Sequence, residues 1–262
     1  MFFLLLTVSI VSLTSCAANT TEPRNFIALG DSVAYGYGLA SVEESYSAVF
    51  YTMLINEGYN LDGYTNLAVN GFTTAMLMDC LNSIDEDSLN LIRNAYIITL
   101  NIGGNNILVP FSDYMSKNDY NTSGFFGMFS DLPELMTALQ NGADDFTNEF
   151  KEIISWLNIN APSATIIVNT IFNTVPEYLP WMSDMANTLL AAINDEIFKL
   201  SKAKKYLVAD IYSNLVFDSS MFDFNLDPST GDISFDFVHP NAIGHDIIAK
   251  INYNMYNQCR HF

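Results

Sequence analysis

The sequence predicts an α/β protein, three layers α/β/α around a central, mostly parallel five-stranded sheet. Three observations carry that prediction. Five short, β-branched apolar runs recur along the chain, helix-compatible stretches separate them, and polar clusters follow several of the runs directly. Near-continuous apolar strands alternating with helices imply a parallel sheet covered on both faces.

Taken in order, the strand candidates are NFIALG at 25–30, YTNLAV at 64–69, YIITLNIG at 96–103, TIIVNTIF at 165–172 and YLVADIY at 206–212. Each has strand length, and none shows the spacing of an amphipathic helix. Between them, residues 42–57, 73–93, 143–158 and 183–203 place apolar side chains three and four apart, as a helix with one buried face requires. NAIGHDIIAKINYNMYN, after Pro240, reads as a final helix with proline in its first turn. There is no internal repeat and no low-complexity linker after residue 24.

Composition bounds the function classes. A chain of 262 residues, 50% hydrophobic and 15% charged, can bury one sizeable core as a single domain. With 29 acidic residues against 10 Lys and Arg, the formal charge of −19 opposes binding to nucleic acid or to an anionic lipid surface. The acidic balance favours neutral or cationic substrates over polyanions.

The first fifteen residues are read separately. MFFLLLTVSIVSLTSC is an uncharged apolar run, too short to span a bilayer and suited to the hydrophobic part of a secretory signal. Its ending, Leu13-Thr14-Ser15-Cys16, resembles the bacterial lipobox, which implies a diacylglyceryl group on Cys16 and cleavage before it. The run lacks the usual preceding Lys or Arg. The alternative is a plain secretory signal cut near Ala17 or Ala18, and both readings place the chain outside the cytoplasm. The expected organisation is a signal at 1–15, a tether at 16–24 and one domain at 25–262. A tether AANTTEPR would hold the domain within about 26 to 29 Å of the membrane. An exported protein permits a disulfide between Cys80 and Cys259, and two free thiols fit equally well.

Chemistry in a parallel α/β sheet collects beyond the carboxyl ends of the strands. Asp31 and Ser32 follow the first strand directly, Asn70 and Gly71 follow the second, Gly103-Gly104-Asn105-Asn106 the third, and DFVHP (236–240) precedes the last helix. These blocks, GDS at 30–32, NLAVNG at 66–71, GGNN at 103–106 and DFVHP at 236–240, resemble in order the four blocks of the SGNH hydrolases, also called GDSL esterases and lipases. The resemblance covers nearly the whole of residues 25–262 and implies a flavodoxin-like fold and ester hydrolysis. It implies Ser32 as nucleophile, with Asp236 and His239 completing a triad, and Gly71 and Asn105 in the oxyanion hole. Val33 stands where the family name has Leu, and Asn106 where an acid often follows the third-block Asn.

The residue types fit those roles on chemical grounds. Acyl transfer needs a hydroxyl nucleophile, a base to take its proton, a group to orient the base, and donors facing the oxyanion. Of the three histidines, His261 is in the terminal tail and His245 lies inside the last predicted helix, leaving His239 in a loop. Asp236, three residues earlier, can accept the Nδ1 proton and leave Nε2 facing Ser32. The backbone N–H groups of Ser32 and Gly71 and the amide of Asn105 are the expected oxyanion donors; Gly71 lacks a Cβ that would block close approach. Asp31 is expected to hold the turn and not to join the triad. Gly36-Tyr37-Gly38 lacks the third glycine of a dinucleotide loop, position 41 being Ser, so no nucleotide cofactor is expected. No metal or other cofactor is expected either.

The segment 107–142 is long for a connection and rich in aromatics, among them Phe111, Tyr114, Tyr120, Phe125, Phe126 and Phe129. Two readings are open: a lid supplying an apolar wall for an acyl chain, or an insertion anchored to the core by its aromatics. Three functions follow from the whole reading. They are an esterase on short or medium acyl or lipid esters, a carbohydrate O-deacetylase, and a non-catalytic binding lipoprotein. The first two share every catalytic residue, while the third gives no reason for Ser32, Asp236 and His239 to occur together.

Overall fold

A computed structural model describes residues 24–117, 132–175, 180–215, 219–222, 224–226, 233–236 and 238–260. Five strands, β1 (Asn25–Gly30), β2 (Gly63–Asn66), β3 (Ala95–Asn101), β4 (Thr165–Asn169) and β5 (Leu207–Ala209), form one sheet in the order β2-β1-β3-β4-β5, all parallel. Among the described residues, nine α-helices and two short 3-10 turns connect or follow these strands. Those used below are α1 (Ser32–Tyr35), α2 (Tyr46–Asn56), α3 (Thr74–Asn82), α4 (Glu86–Arg93), α5 (Gly104–Lys117), α6 (Leu132–Asn160), α7 (Pro180–Lys204), α8 (Ile211–Asn214) and α9 (Ala242–Arg260).

The two faces of the sheet bury alternate residues of the same strands, as the pleat demands. Phe26, Ile97 and Ile167 face one way, where Phe50 of α2 and Ile248 of α9 cover them. Ile27, Leu29, Ile98, Leu100, Ile166 and Val168 face the other, against Phe146 and Phe150 of α6 and Ile193 and Ile197 of α7. Helices on both faces leave the carboxyl ends of the strands as the free rim. There Gly30 of β1 pairs with Asn101 of β3, and Asn169 of β4 with Ala209 of β5.

The strands begin where the apolar runs begin but several end early, because the last residues of each run turn into the rim. The chain beyond β2 still follows β1, with the N–H groups of Leu67 and Val69 donating to the carbonyls of Ala28 and Gly30 (2.9 and 3.0 Å). The expected helix at 73–93 is two helices. Asp85 breaks the run by capping α4, its carboxylate accepting the Ser88 N–H at 2.9 Å. Pro240 lies just outside α9, which is capped by Asn241, whose side-chain oxygen accepts from the Ile243 N–H at 3.0 Å.

Of the segment 107–142, residues 107–117 belong to α5 and 132–142 to α6, while 118–131, with Tyr120, Phe125, Phe126 and Phe129, lie outside the described residues. Tyr114 is buried in a small cluster with Leu135, Leu139 and Leu189, which anchors α5 to α6 and α7. The crossing of α5 and α6 is close for a local reason. Pro110 has no N–H to return to the Asn106 carbonyl one turn back, and a side chain on Gly142 would run into that carbonyl.

A short antiparallel pair, β6 (Phe224–Leu226) and β7 (Ile233–Phe235), stands apart from the main sheet and leads into Asp236. Cys80 and Cys259 are both free, so the disulfide left open by the sequence is not formed. Cys16 and the signal expected at 1–15 lie outside the described residues. Among the described residues no helix is long and apolar enough to cross a membrane.

Candidate active site

The site starts at the end of β1, where Gly30 adopts φ +138° and a Cβ there would overlap the Asn101 carbonyl. Only glycine can occupy such a position without strain. The turn this allows lets the Asp31 N–H donate to that same carbonyl at 3.0 Å. Asp31 then caps α1, its Oδ1 accepting the Val33 N–H at 3.1 Å and the Asn101 amide at 3.3 Å. Burial pushes the Asp31 carboxyl up to about 7, against the pull of those hydrogen bonds. As the sequence suggested, Asp31 holds the turn and is absent from the triad contacts. Ser32 is the first residue of α1 and is nearly buried, at 7% exposure.

The Ser32 hydroxyl stands 2.8 Å from His239 Nε2, and His239 Nδ1 stands 2.8 Å from Asp236 Oδ2. The other carboxylate oxygen of Asp236 accepts the N–H groups of Val238 and His239, each at 2.9 Å. Burial alone would raise the Asp236 carboxyl, but the His239 N–H, the His239 ring and the Val238 N–H outweigh it and hold the group below the usual carboxylate range. An ionised Asp236 can only accept, so Nδ1 carries the proton and Nε2 is left to accept from the Ser32 hydroxyl. The ring of Tyr37 packs on the imidazole with centroids 4.6 Å apart. His245, the histidine inside the last helix, is fully buried and accepts the Tyr46 N–H at Nδ1 (3.0 Å). Burial, with a smaller contribution from His239, pushes its pKa down to about 4, so it is a neutral link between α9 and α2.

The expected oxyanion donors are Ser32 itself, Gly71 and Asn105. Ser32, as the first residue of its helix, has an N–H with no intrahelical partner. Gly71 has φ +79°, and a Cβ there would meet no atom within 4 Å. The left-handed backbone of the turn is one reason for glycine at this position. Asn105 donates one amide hydrogen to the Phe72 carbonyl at 3.0 Å, and its other has no acceptor among the described residues.

Five hydrogen bonds that the sequence reading did not anticipate hold this loop in place. The Asn66 amide donates to the Ala34 carbonyl at 2.9 Å and its oxygen accepts the Ala68 N–H at 3.0 Å, tying α1 to the chain after β2. Asn106 accepts the Thr74 N–H at 3.1 Å and donates to the Thr74 hydroxyl at 2.7 Å. That hydroxyl spends its one hydrogen on Glu149 of α6, at 2.5 Å. Asn66 was inside a quoted block, NLAVNG, and could have been singled out there. Thr74 and Glu149, 75 residues apart, carry no sequence signal that would pair them.

Beyond Ser32 and Asn105 a pocket of about 160 Å³ opens between α5, α6 and α7. Phe111, Leu139, Met185 and Leu189 supply its apolar walls.

A parallel sheet whose rim carries a hydrogen-bonded Ser-His-Asp chain defines an α/β ester hydrolase. This chain belongs to the GDSL-like lipase/acylhydrolase family, whose model matches residues 28–247. Solved structures share the fold at low identity. A phospholipase A1 from Streptomyces albidoflavus NA297 is 18% identical with a TM-score of 0.63, over 90% of this chain and 99% of that one. An extracellular lipase from Streptomyces rimosus is 16% identical with a TM-score of 0.62, over 90% and 99%. The lipase Lip_vut3 from a goat rumen metagenome is 18% identical with a TM-score of 0.58, over 87% and 95%. No curated protein sequence matches this chain.

Two outcomes are expected from these contacts. Replacing Asn106→Asp removes the donor to Thr74 and sets two acceptors face to face beside Glu149. The protein is expected to lose about 1 to 3 kcal/mol of stability and to lose more in kcat than in KM, by urea denaturation and steady-state ester hydrolysis. Unchanged values would show that this contact does not hold the loop. Asp31, raised from 3.8 to about 7, keeps its proton longer in the folded protein than in the unfolded chain, so its contribution to stability falls as pH rises from about 4 to about 7. Asp31→Asn keeps the helix cap and removes this titration. Its stability relative to the parent is therefore expected to rise across that window and level off above it, in urea melts at pH 5 to 8. A constant difference would refute the assignment.

Proposed function

We propose that the protein hydrolyses carboxylic esters through an acyl-enzyme formed on Ser32. The observation that carries this reading is the unbroken chain of two 2.8 Å contacts from Ser32 Oγ through His239 to Asp236. Ser32 Oγ attacks the ester carbonyl carbon as its proton passes to His239 Nε2. The imidazolium so formed lies against the Asp236 carboxylate, which stabilises it and keeps the ring in place. Negative charge on the former carbonyl oxygen meets the N–H groups of Ser32 and Gly71 and the free amide hydrogen of Asn105. As the tetrahedral adduct collapses, His239 returns the proton to the leaving alkoxide, and the acyl group remains as an ester on Ser32. Water enters in its place, His239 takes its proton, and the same steps in reverse release the carboxylic acid and restore the Ser32 hydroxyl.

The location proposed for this activity is the cell envelope, with export through residues 1–15 and a lipid on Cys16. The support is the uncharged apolar run ending in Leu13-Thr14-Ser15-Cys16. Short to medium acyl or lipid esters are the proposed substrates. The lipase and phospholipase A1 activities in the names of its structural neighbours favour these over glycans. The formal charge of −19 gives no electrostatic help with anionic esters.

Hydrolysis of p-nitrophenyl butyrate by the parent is expected to fall by at least three orders of magnitude in Ser32→Ala. Asn105→Ala is expected to reduce kcat by about 10²- to 10³-fold, the usual loss for one oxyanion donor, with the fold retained. Activity surviving in Ser32→Ala would overturn the mechanism. Intact mass of the protein purified from a bacterial envelope is expected to show a diacylglyceryl group that Cys16→Ser lacks; an unmodified parent would refute the anchor.

A further inference from the structure

We infer that the rim around Ser32 is a docking surface for a lipid–water interface whose headgroups carry no net charge. Docking as such is independent of hydrolysis; that it brings esters held in such an interface to Ser32 rests on the serine-hydrolase reading above.

The distribution of charge carries the inference. The stretches 32–42, 63–78, 94–112, 165–175 and 238–245 contain the loops that leave β1 to β4 and the turn that enters α9. They supply none of the 29 acidic residues of the chain and none of its 10 Lys and Arg. Among the described residues, the acids at the rim are committed to the protein. Asp31 is buried at the turn, Asp236 holds His239, and Asp210 accepts the Thr170 hydroxyl and the Ser213 N–H at 3.1 and 3.2 Å. Glu43, Asp79 and Asp113, the first acids beyond three of these stretches, are exposed. A chain of formal charge −19 thus keeps ionised side chains out of the loops that surround its site.

Exposed apolar side chains stand on those same loops. Tyr35 and Tyr37 follow β1, Val69 follows β2, Met76 lies in the first turn of α3 and Ile243 in the first turn of α9. All are more than a third exposed, Met76 and Ile243 by 51% and 54%. Polar and ring contacts join these loops around Ser32. The Asn66 amide reaches the Tyr35 carbonyl at 3.4 Å, the Val69 N–H donates to the Gly30 carbonyl, and the Tyr37 ring lies on His239, four residues before Ile243. Tyrosine suits the boundary between hydrocarbon and water, with an apolar ring and a polar tip. An uncharged, partly apolar face on a strongly acidic protein fits a neutral interface, whereas anionic lipid repels the rest of the molecule. The proposed tether is long enough for this orientation. The six residues of β1 span about 20 Å, and residues 17–24 reach at most about 26 to 29 Å, so a lipid on Cys16 and the rim can meet the same surface.

The test is hydroxyl-radical footprinting of the full chain carrying Ser32→Ala, alone and with phosphatidylcholine or phosphatidylglycerol vesicles. Phosphatidylcholine is expected to slow oxidation of Tyr35, Tyr37, Met76 and Ile243 by about threefold or more. Ile159 and Phe198, exposed on α6 and α7, are expected to keep their rates, as are the four rim residues with phosphatidylglycerol. In Met76→Ser/Ile243→Ser the protection of Tyr35 and Tyr37 is expected to disappear, whereas Ile159→Ser/Phe198→Ser retains it. No protection at the rim, equal protection of Ile159 and Phe198, or equal protection by phosphatidylglycerol would overturn the assignment. Protection that appears without vesicles and grows with protein concentration would give the face to a second copy of this chain and overturn it as well. Because Ser32→Ala carries the readout, none of these outcomes depends on hydrolysis; ester hydrolysis that survives in Ser32→Ala would overturn the hydrolase reading alone.

Discussion

The site depends on one contact at the rim of the sheet, the hydrogen bond from the Asp31 N–H to the Asn101 carbonyl. It forms only because residue 30 is glycine, whose φ of +138° and missing Cβ leave that carbonyl uncovered. The strand β1 must stop there, and the chain must turn at once into α1. Ser32 is thereby carried to the edge of the core, close to the ends of both neighbouring strands. A Cβ at position 30 would move the nucleophile before it changed anything else.

Around that turn, the three elements that meet Ser32 are fastened to one another as well as to the sheet. Asn66 joins the loop after β2 to α1, Asn105 and Asn106 join the same loop to α5, and Glu149 joins it to α6. Such cross-links would hold the proposed oxyanion donors in position before a substrate arrives, which is the condition for stabilising a developing charge without reorganisation cost. Asp236 and His239 come from outside the main sheet, between β7 and α9. Their placement rests on the carboxylate's grip on two backbone N–H groups as much as on the imidazole itself. One oxygen of Asp236 therefore shapes the loop while the other orients the base.

Much of the fold was legible because burial on both sides writes strands as unbroken apolar runs. Residues 25–30 show it best, since their limits coincide with β1. Rim residues were legible because polar groups directly after such runs have few other places to go. Errors arose where local competition decided the outcome. Asp85 ended a helix that apolar spacing carried through, and Asn241, not Pro240, sets the start of α9. Asn106 was noted as a departure from the family pattern, yet its partnership with Thr74 and Glu149 depends on how α6 crosses α5. A crossing of that kind follows from Pro110 and Gly142 together, 32 residues apart, and no window of sequence contains both. The role of Tyr37 against His239 was hidden for the same reason, the two being 202 residues apart.

The central claim is that His239, oriented by Asp236, makes the Ser32 hydroxyl a nucleophile. The most direct measurement is the rate and site of covalent labelling by a neutral alkyl fluorophosphonate, followed by intact mass and peptide mapping in the parent and in His239→Ala. The account requires one adduct per chain, on Ser32, with a labelling rate that falls by at least a hundredfold in the variant. Labelling at another residue, or labelling of Ser32 at the same rate without His239, would contradict it.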